Sequence, residues 1–328
     1  MNTWLRFLVF CAVVCLCCCA YSQLTPQGAV PAIIAAFDQY PIVTIGEDHW
    51  VRAAGDFYIA LVSDPEFRKH ANTVVLECGD WRYQPVLDRY ENGEDIPFEQ
   101  ISQVWRNTTK VAAWDSAIYP NLIAAVRDVN KTLDPADRIR VIAADSPIDW
   151  SQIHNSRQYE KAFGGNRFFA SIIKQEVLDK NRKALVIMGD NHVTRGGDRW
   201  GNDDVTDMIE KHHHHLSYVV LFASAFAVSD GSMRGPDPLL YTIHGTRAGE
   251  QAFLDRRLED SADAVLYLPN RGKVQPDYRA IEADKPYFME IQRRYAIICG
   301  DAFDPKSWTW DRPCSRRSER EREGGSRK

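Results

Sequence analysis

Six short apolar runs rich in β-branched residues constrain this chain more than any other feature. They are Ile42–Ile45, Thr73–Leu76, Ile139–Ala143, Ala184–Met188, Tyr218–Phe222 and Ala264–Leu268. Each is nearly continuous in apolar character rather than alternating, as strands covered on both faces require. Helical patterns lie between them: Asp56–Ser63, Ile118–Lys131 with Leu122, Ala125, Val126 and Val129 on one face, and Phe168–Asn181. Strand–helix alternation of this kind predicts an α/β fold, a mostly parallel β-sheet flanked by helices on both faces. The stretch from Leu76 to Ile139 is long for one crossover and holds at least two helices, so a helical insertion is expected between the second and third strands. No Gly-, Ser- or Pro-rich linker divides the chain, and one domain is expected over residues 23–314.

The two ends read differently from the middle. After Arg6, Phe7 to Ala20 is uninterrupted apolar sequence, too short to span a bilayer comfortably and suited to a signal-peptide core. Small residues at Ala20 and Ser22 place the expected cleavage before Gln23, so residues 1–22 are read as a signal peptide. An uncleaved anchor or a lipoprotein acceptor among Cys17, Cys18 and Cys19 is the less favoured alternative. The mature chain is then exported, to a periplasm or the extracellular medium, with no transmembrane helix. Residues 315–328 (SRRSEREREGGSRK) lack apolar side chains and are expected to form a solvated, disordered tail. A formal net charge of -5, with no dense basic patch before the tail, argues against a nucleic-acid partner.

Removal of the signal takes five of the eight cysteines, leaving Cys78, Cys299 and Cys314. That is too few for a disulfide framework, and without a CxxC spacing a thiolate zinc site is not expected. A Cys299–Cys314 bridge is open in an oxidising compartment. Cys78 reads as a small buried residue.

In a parallel sheet, ligands bind outside the carboxyl ends of the strands. Four of the runs lead straight into polar side chains: Ile45 into Gly46-Glu47-Asp48-His49, Leu76 into Glu77, Ala144 into Asp145, and Met188 into Gly189-Asp190-Asn191-His192. Each glycine is read as the residue that permits a sharp exit turn, with its histidine pointing back over the sheet edge. Each element also has a plain reading. A lone GxxH is weak, Glu77 can cap a helix, Asp145 can form an Asx turn before Pro147, and Asp48 and Asp190 suit caps. Two histidines and two carboxylates at one rim are harder to assign to capping, so Glu47, His49, Glu77 and His192 form the candidate catalytic group.

The phrases VTIGEDHW, VVLECGDWRYQPVLDRYENGE, RVIAADSPIDW and ALVIMGDNHVTRGG, in this order, resemble the Tiki/ChaN/erythromycin-esterase superfamily over roughly residues 30–225. ChaN-like proteins, known as haem-binding uptake proteins, are the most similar in order and spacing. The shared pattern is two GxxH turns with glutamates after early strands, here Gly46 with His49, Gly189 with His192, Glu47 and Glu77. A shared fold does not select among the family's activities.

Hydrolysis of an ester or amide bond in a small molecule or peptide is the favoured activity. In one route His49 is the general base, since its reference pKa lies near operating pH. Glu47 or Glu77 orients the ring, and His192 polarises the substrate or acts as acid; the resemblance to erythromycin esterase implies this metal-free chemistry. In the other, His49, Glu77 and His192 bind a divalent metal that activates water, as the resemblance to Tiki proteases implies. Asp80, Arg82, Asp145 and Arg195 are expected as substrate contacts, Arg being suited to a carboxylate. The competing class is a ligand-binding module: similarity to ChaN implies haem, with a His or Tyr axial ligand and an apolar rim; Trp50, Trp81, Tyr83, Trp150 and Trp200 suit such a rim and suit core packing equally well. A catalytically idle scaffold is the third reading. His212–His215 reads better as the end of a helix over Asp204–Lys211 than as a metal tract. The sequons at Asn107 and Asn130 are read as chance matches.

Overall fold

A computed structural model describes residues 22–197, 203–211, 215–223, 233–269, 272–305 and 314. The signal segment up to residue 21, the tail 315–328, Trp200 and His212–His214 lie outside the described residues.

Among the described residues ten strands are present: β1 (Pro26–Gly28), β2 (Ile42–Glu47), β3 (Thr73–Asp80), β4 (Arg140–Asp145), β5 (Ala184–Gly189), β6 (Ser217–Phe222), β7 (Leu239–Thr242), β8 (Ala252–Phe253), β9 (Arg256–Arg257) and β10 (Ala264–Tyr267). Eight of them form one sheet in the order β1-β7-β10-β6-β2-β5-β3-β4, and β8 with β9 makes a small separate hairpin. From β10 to β4 all neighbours are parallel. β7 and β1 extend the other edge antiparallel. All six runs expected as strands are strands. β1 and β7 carry too few residues for a period to show.

Alternation decides which face each side chain covers. Val43 and Ile45 of β2, Val74 and Leu76 of β3, and Leu185 and Ile187 of β5 join a core with the helices Ala29–Ala36, Arg52–Ser63 and Ile118–Asn130. Ile42, Val75, Val186 and Met188 face the other way, onto the helix Gly165–Ile173. Fully burying one such Leu, Ile or Val side chain contributes roughly 1.5–3 kcal/mol. Doubly covered strands are therefore held in register from both sides. Between β3 and β4 lie the helices Gln84–Glu91, Phe98–Ile101, Gln103–Arg106 and Ile118–Asn130, which constitute the helical insertion. No described helix is long and apolar enough to cross a membrane.

β3 departs from the expected exit at Leu76. It continues to Asp80, and its pairing with β4 shifts between Leu76↔Ala143 and Asp80↔Asp145. The irregularity holds Glu77, Cys78 and Gly79, so Glu77 sits inside a bulged strand rather than after its end. Gly79 permits this, because a Cβ there would lie 2.6 Å from the Ala143 Cβ and 2.8 Å from its Cα. Bulges re-aim side chains beside functional sites.

Candidate functional site

The chain leaves β2 through a turn made not at Gly46 but at Trp50, whose φ of 67° is left-handed. The indole Nε1 of Trp50 donates to Ala113 O at 2.9 Å, and Val274 N donates to Trp50 O at 2.7 Å. Lys273 adds bonds to Asp48 Oδ1 and His49 O. These tethers hold a conformation that costs a bulky residue roughly 1–3 kcal/mol. Gly46 is required for space: a Cβ there would lie 2.4 Å from Leu221 Cδ2 and 2.9 Å from Val193 Cγ2. Gly189, with φ -56° and ψ 143°, also makes no left-handed turn. A Cβ on Gly189 would lie 2.7 Å from His49 Nε2 and 3.1 Å from its Cε1. Both glycines of the GxxH pair therefore provide close packing instead of turn geometry.

Glu47, His49, Glu77 and His192 meet at the carboxyl ends of β2, β3 and β5. His49 is 6% exposed, and its Nδ1 lies 2.7 Å from Glu47 Oε1. The hydroxyl of Tyr119 donates to the same oxygen at 2.5 Å, and that of Tyr58 to Glu47 Oε2 at 2.6 Å. Burial, with the charge of Glu47, pushes both phenols well above their ordinary pKa, so they remain donors. With Glu47 acting as acceptor, the network assigns the Nδ1 proton to His49 and turns Nε2 toward Glu77. Trp114 holds the ring edge-on, centroids 5.0 Å apart.

Glu77 is shared by the two imidazoles. His192 Nε2 lies 3.3 Å from its Oε1 and His49 Nε2 3.9 Å from its Oε2, while Gly189 N donates to Oε2 at 2.7 Å. The His192 approach is close enough for charge attraction but lacks hydrogen-bond alignment. Burial opposes ionisation of Glu77. The charge and contact of His192, the charge of His49 and the Gly189 N–H outweigh it, and the carboxyl is held well below its ordinary pKa. For His49, burial disfavours the imidazolium. The Glu47 hydrogen bond and the charges of Glu77, Glu47 and Asp190 prevail, so its pKa is raised.

Residues distant in sequence complete the site. Asn166 Oδ1 lies 2.5 Å from His192 Nδ1, and Asn166 Nδ2 donates to Asp203 O at 2.9 Å. The second bond fixes which way the amide faces and so assigns the Nδ1 proton to His192. Phe169, one turn along the same helix, meets the His192 ring edge-on at 5.2 Å. Tyr58, Tyr119, Trp114, Asn166 and Phe169 carry no motif. Only a polar tip on an otherwise apolar helical face hinted at the two tyrosines.

The expected substrate contacts separate. Asp145 is buried, accepting from Thr109 N at 2.6 Å, Thr109 Oγ1 at 2.8 Å and Ser146 N at 2.8 Å. Burial still pushes its pKa up to about 6. Asp80 is 0% exposed and accepts from Arg82 N at 2.8 Å. Burial, reinforced by Asp145, pushes it up to about 8. Arg82 faces outward to Asp149 at 2.8 Å. Arg195 is not brought to the four residues: its guanidinium is held by Asp263 at 2.8 Å, Ser217 O at 2.7 Å and Glu210 at 3.6 Å, beside the starts of β6 and β10. Asn107 and Asn130 are buried and hydrogen-bonded within the fold.

No family model matches the chain, and no curated protein matches it. Three solved structures are similar in fold. The type III effector HopBA1 is 12% identical, with 76% of this chain and 99% of that chain covered and a TM-score of 0.45. A Bacillus cereus protein is 10% identical, with coverage of 74% and 91% and a TM-score of 0.46. ChaN of Campylobacter jejuni, described with cofacially bound haem, is 13% identical, with coverage of 73% and 91% and a TM-score of 0.37. Likeness at this level concerns the fold alone.

The two cofactors considered from the sequence make different demands on this geometry. Among the described residues no group of three His, Cys, Asp or Glu side chains is placed to hold a metal ion. One oxygen of Glu77 is taken by Gly189 N and the other has no hydrogen-bond partner, while each histidine gives its Nδ1 to another acceptor and turns Nε2 toward this carboxylate, as metal-ligating imidazoles are held. An axial haem ligand must offer its nitrogen to an open apolar face, whereas both Nε2 atoms face the buried Glu77. The apolar cavity of about 460 Å³ between the helices Ala29–Ala36 and Arg52–Ser63 has no His, Tyr, Cys or Met in its lining.

Proposed function

We propose that the chain is an exported hydrolase that cleaves an ester or amide bond by metal-free acid–base chemistry at Glu47, His49, Glu77 and His192. The observation that carries this reading is the Glu47–His49 hydrogen bond of 2.7 Å. It is braced by two buried tyrosine hydroxyls and leaves Nε2 directed toward the centre of the group.

His49 Nε2 takes the proton of a water molecule as that water attacks the carbonyl carbon. Glu47 then faces the imidazolium that forms, and stabilises it where it cannot be solvated. His192, more open at 21% side-chain exposure, stands across Glu77 and supplies a proton to the leaving oxygen or nitrogen. Glu77 favours the cationic form of His49 and stands between the two rings, so it ties the two proton transfers together. Export is supported by the apolar segment Phe7–Ala20 and by the Cys299–Cys314 disulfide, a bond that persists in oxidising compartments.

The test is hydrolysis of a panel of ester and amide substrates by the mature chain. His49→Ala and Glu47→Gln are each expected to lower kcat about 10²–10⁴-fold, the range for a positioned acid or base. Folded His49→Ala and His192→Ala proteins that both retain full activity would refute the assignment. A Soret band on the purified protein, lost in His49→Ala, would favour a haem-binding module instead.

A further inference from the structure

At the carboxyl ends of β3 and β4 lies a polar cavity of about 520 Å³ that includes none of the four residues above in its lining. That volume is within the range that holds a small molecule, roughly 300–1,000 Å³. Its walls come from four parts of the chain, one of them Asn107. The turn Trp81–Tyr83 contributes Arg82 and Tyr83, the segment after β4 contributes Asp149 and Trp150, and the helix Lys285–Cys299 contributes Glu290, Arg293 and Arg294. Three guanidinium groups face two carboxylates there, leaving one positive charge uncompensated.

The two helical arginines are fixed before any ligand arrives. Arg293 donates to Ile153 O and Trp150 O, each at 2.8 Å, and pairs through two nitrogens with Glu290 at 2.7 Å. Arg294 donates to Arg106 O at 2.7 Å and Asn107 Oδ1 at 2.6 Å, and its guanidinium lies 4.8 Å from the Trp150 ring centroid. It also shares Glu290 with Arg293. Carbonyl oxygens hold a guanidinium in place without cancelling its charge, and a single carboxylate serves both.

Arg82 is less committed. One amino group pairs with Asp149 at 2.8 Å, and the side chain is 46% exposed. Its other N–H groups meet no protein acceptor among the described residues. The Tyr83 hydroxyl accepts from Asn107 Nδ2, so its own proton remains to be donated. Asp80, next to Arg82, is pushed by burial to about 8 and adds little negative charge at neutral pH. A fixed field from Arg293 and Arg294 is thus joined by unused donors on Arg82 and Tyr83, and a planar guanidinium matches an oxyanion's geometry.

We propose that this cavity is a binding site for a small oxyanion, the carboxylate or phosphate group of a ligand, engaged by Arg82 and Tyr83 in the field of Arg293 and Arg294. The site is independent of the hydrolytic reading and stands or falls without it.

The experiment is calorimetric titration of the full chain at low salt with inorganic phosphate and, separately, with acetate, the comparison showing which oxyanion is preferred. Saturable one-to-one binding of at least one is expected. Arg82→Ala is expected to weaken it about tenfold, the equivalent of about 1.4 kcal/mol. Asp149→Asn keeps the Oδ1 that caps Ser151 but removes a negative charge, and is expected to tighten binding several-fold. Opposite signs from the two partners of one ion pair are what an anion site demands. Loss of a purely structural Arg82–Asp149 bridge would move both variants the same way. Absence of saturable binding by either anion, an unchanged affinity in Arg82→Ala, or shifts of the same sign in both variants overturns the proposal. Circular dichroism shows whether each variant is folded.

Discussion

A single added methyl group, in Gly189→Ala, probes the centre of the candidate site. The backbone at this position is one that alanine adopts without strain, φ -56° and ψ 143°, so the effect is steric. The new Cβ lies 2.7 Å from His49 Nε2, 3.1 Å from His49 Cε1 and 3.5 Å from Glu77 Oε2. Relaxed non-bonded contacts lie nearer 3.5–4.0 Å, so the imidazole must move by several tenths of an ångström or more. It has little room to do so. Its Nδ1 is held by Glu47 at 2.7 Å, its flank lies against Trp114, and the residue is 6% exposed. Overpacking of this kind costs about 1–3 kcal/mol. Urea unfolding measures that loss, and ring ¹⁵N shifts of His49 report its displacement. Gly93→Ala is the control: φ is 98° there and no atom lies within 4 Å of an added Cβ, so it costs backbone strain and leaves the His49 shifts alone. If Gly189→Ala changes stability by less than about 0.5 kcal/mol and leaves the His49 shifts unchanged, the close approach of Gly189 to His49 is wrong.

Four further outcomes follow from the same contacts. Tyr119→Phe removes one donor from Glu47 and is expected to cost about 1.5–3 kcal/mol, the value of a hydrogen bond to a charged group, read from chemical denaturation. Asn166→Leu should release the His192 ring from its Nδ1–H form while Asn166→Asp, which keeps the acceptor oxygen, retains it; ring ¹⁵N spectra distinguish the two, and an unchanged spectrum in Asn166→Leu would contradict the assigned role. Asp80 has a folded pKa raised to about 8 from an unfolded value of about 3.9, so the folded state binds the extra proton and stability falls as pH rises through this interval. Asp80→Asn should remove that decline and stabilise the protein at pH 8 by more than about 1.4 kcal/mol, one pKa unit; an unaltered pH–stability curve would rule the account out. Reducing the Cys299–Cys314 bridge, whose partners are 15 residues apart, should cost about 3 kcal/mol for a loop of that size, measured by unfolding with and without reductant.

The sheet was legible in the sequence because strands buried on both faces must be apolar throughout. Ile42–Ile45, Ala184–Met188 and the other four runs therefore stand out, and the long interval before Ile139 marks the helical insertion. The gathering of Glu47, His49, Glu77 and His192 was legible for a related reason, since parallel strands bring their carboxyl ends to one edge. Local spacing did not reveal what the glycines do. Gly46 and Gly189 look like turn residues, but the turn is made at Trp50, and the glycines leave room for Leu221 and for His49. Nor could spacing place Arg195, only three residues past His192, because the chain carries it to Asp263 and Ser217. The tyrosines on Glu47 left only the faint trace of a polar tip on an apolar helical face, and the Asn166–Phe169 pair on His192 left none. They reach the site from helices whose own patterns report only which face is buried. By itself the sequence determined which segments are strands and which edge carries the polar residues, since both follow from short-range periodicity. The tertiary structure alone decided which nitrogen of each histidine is committed and which carboxylate the two rings share, because those facts depend on contacts between residues more than 100 positions apart, such as Gly189 with Glu77, 112 apart.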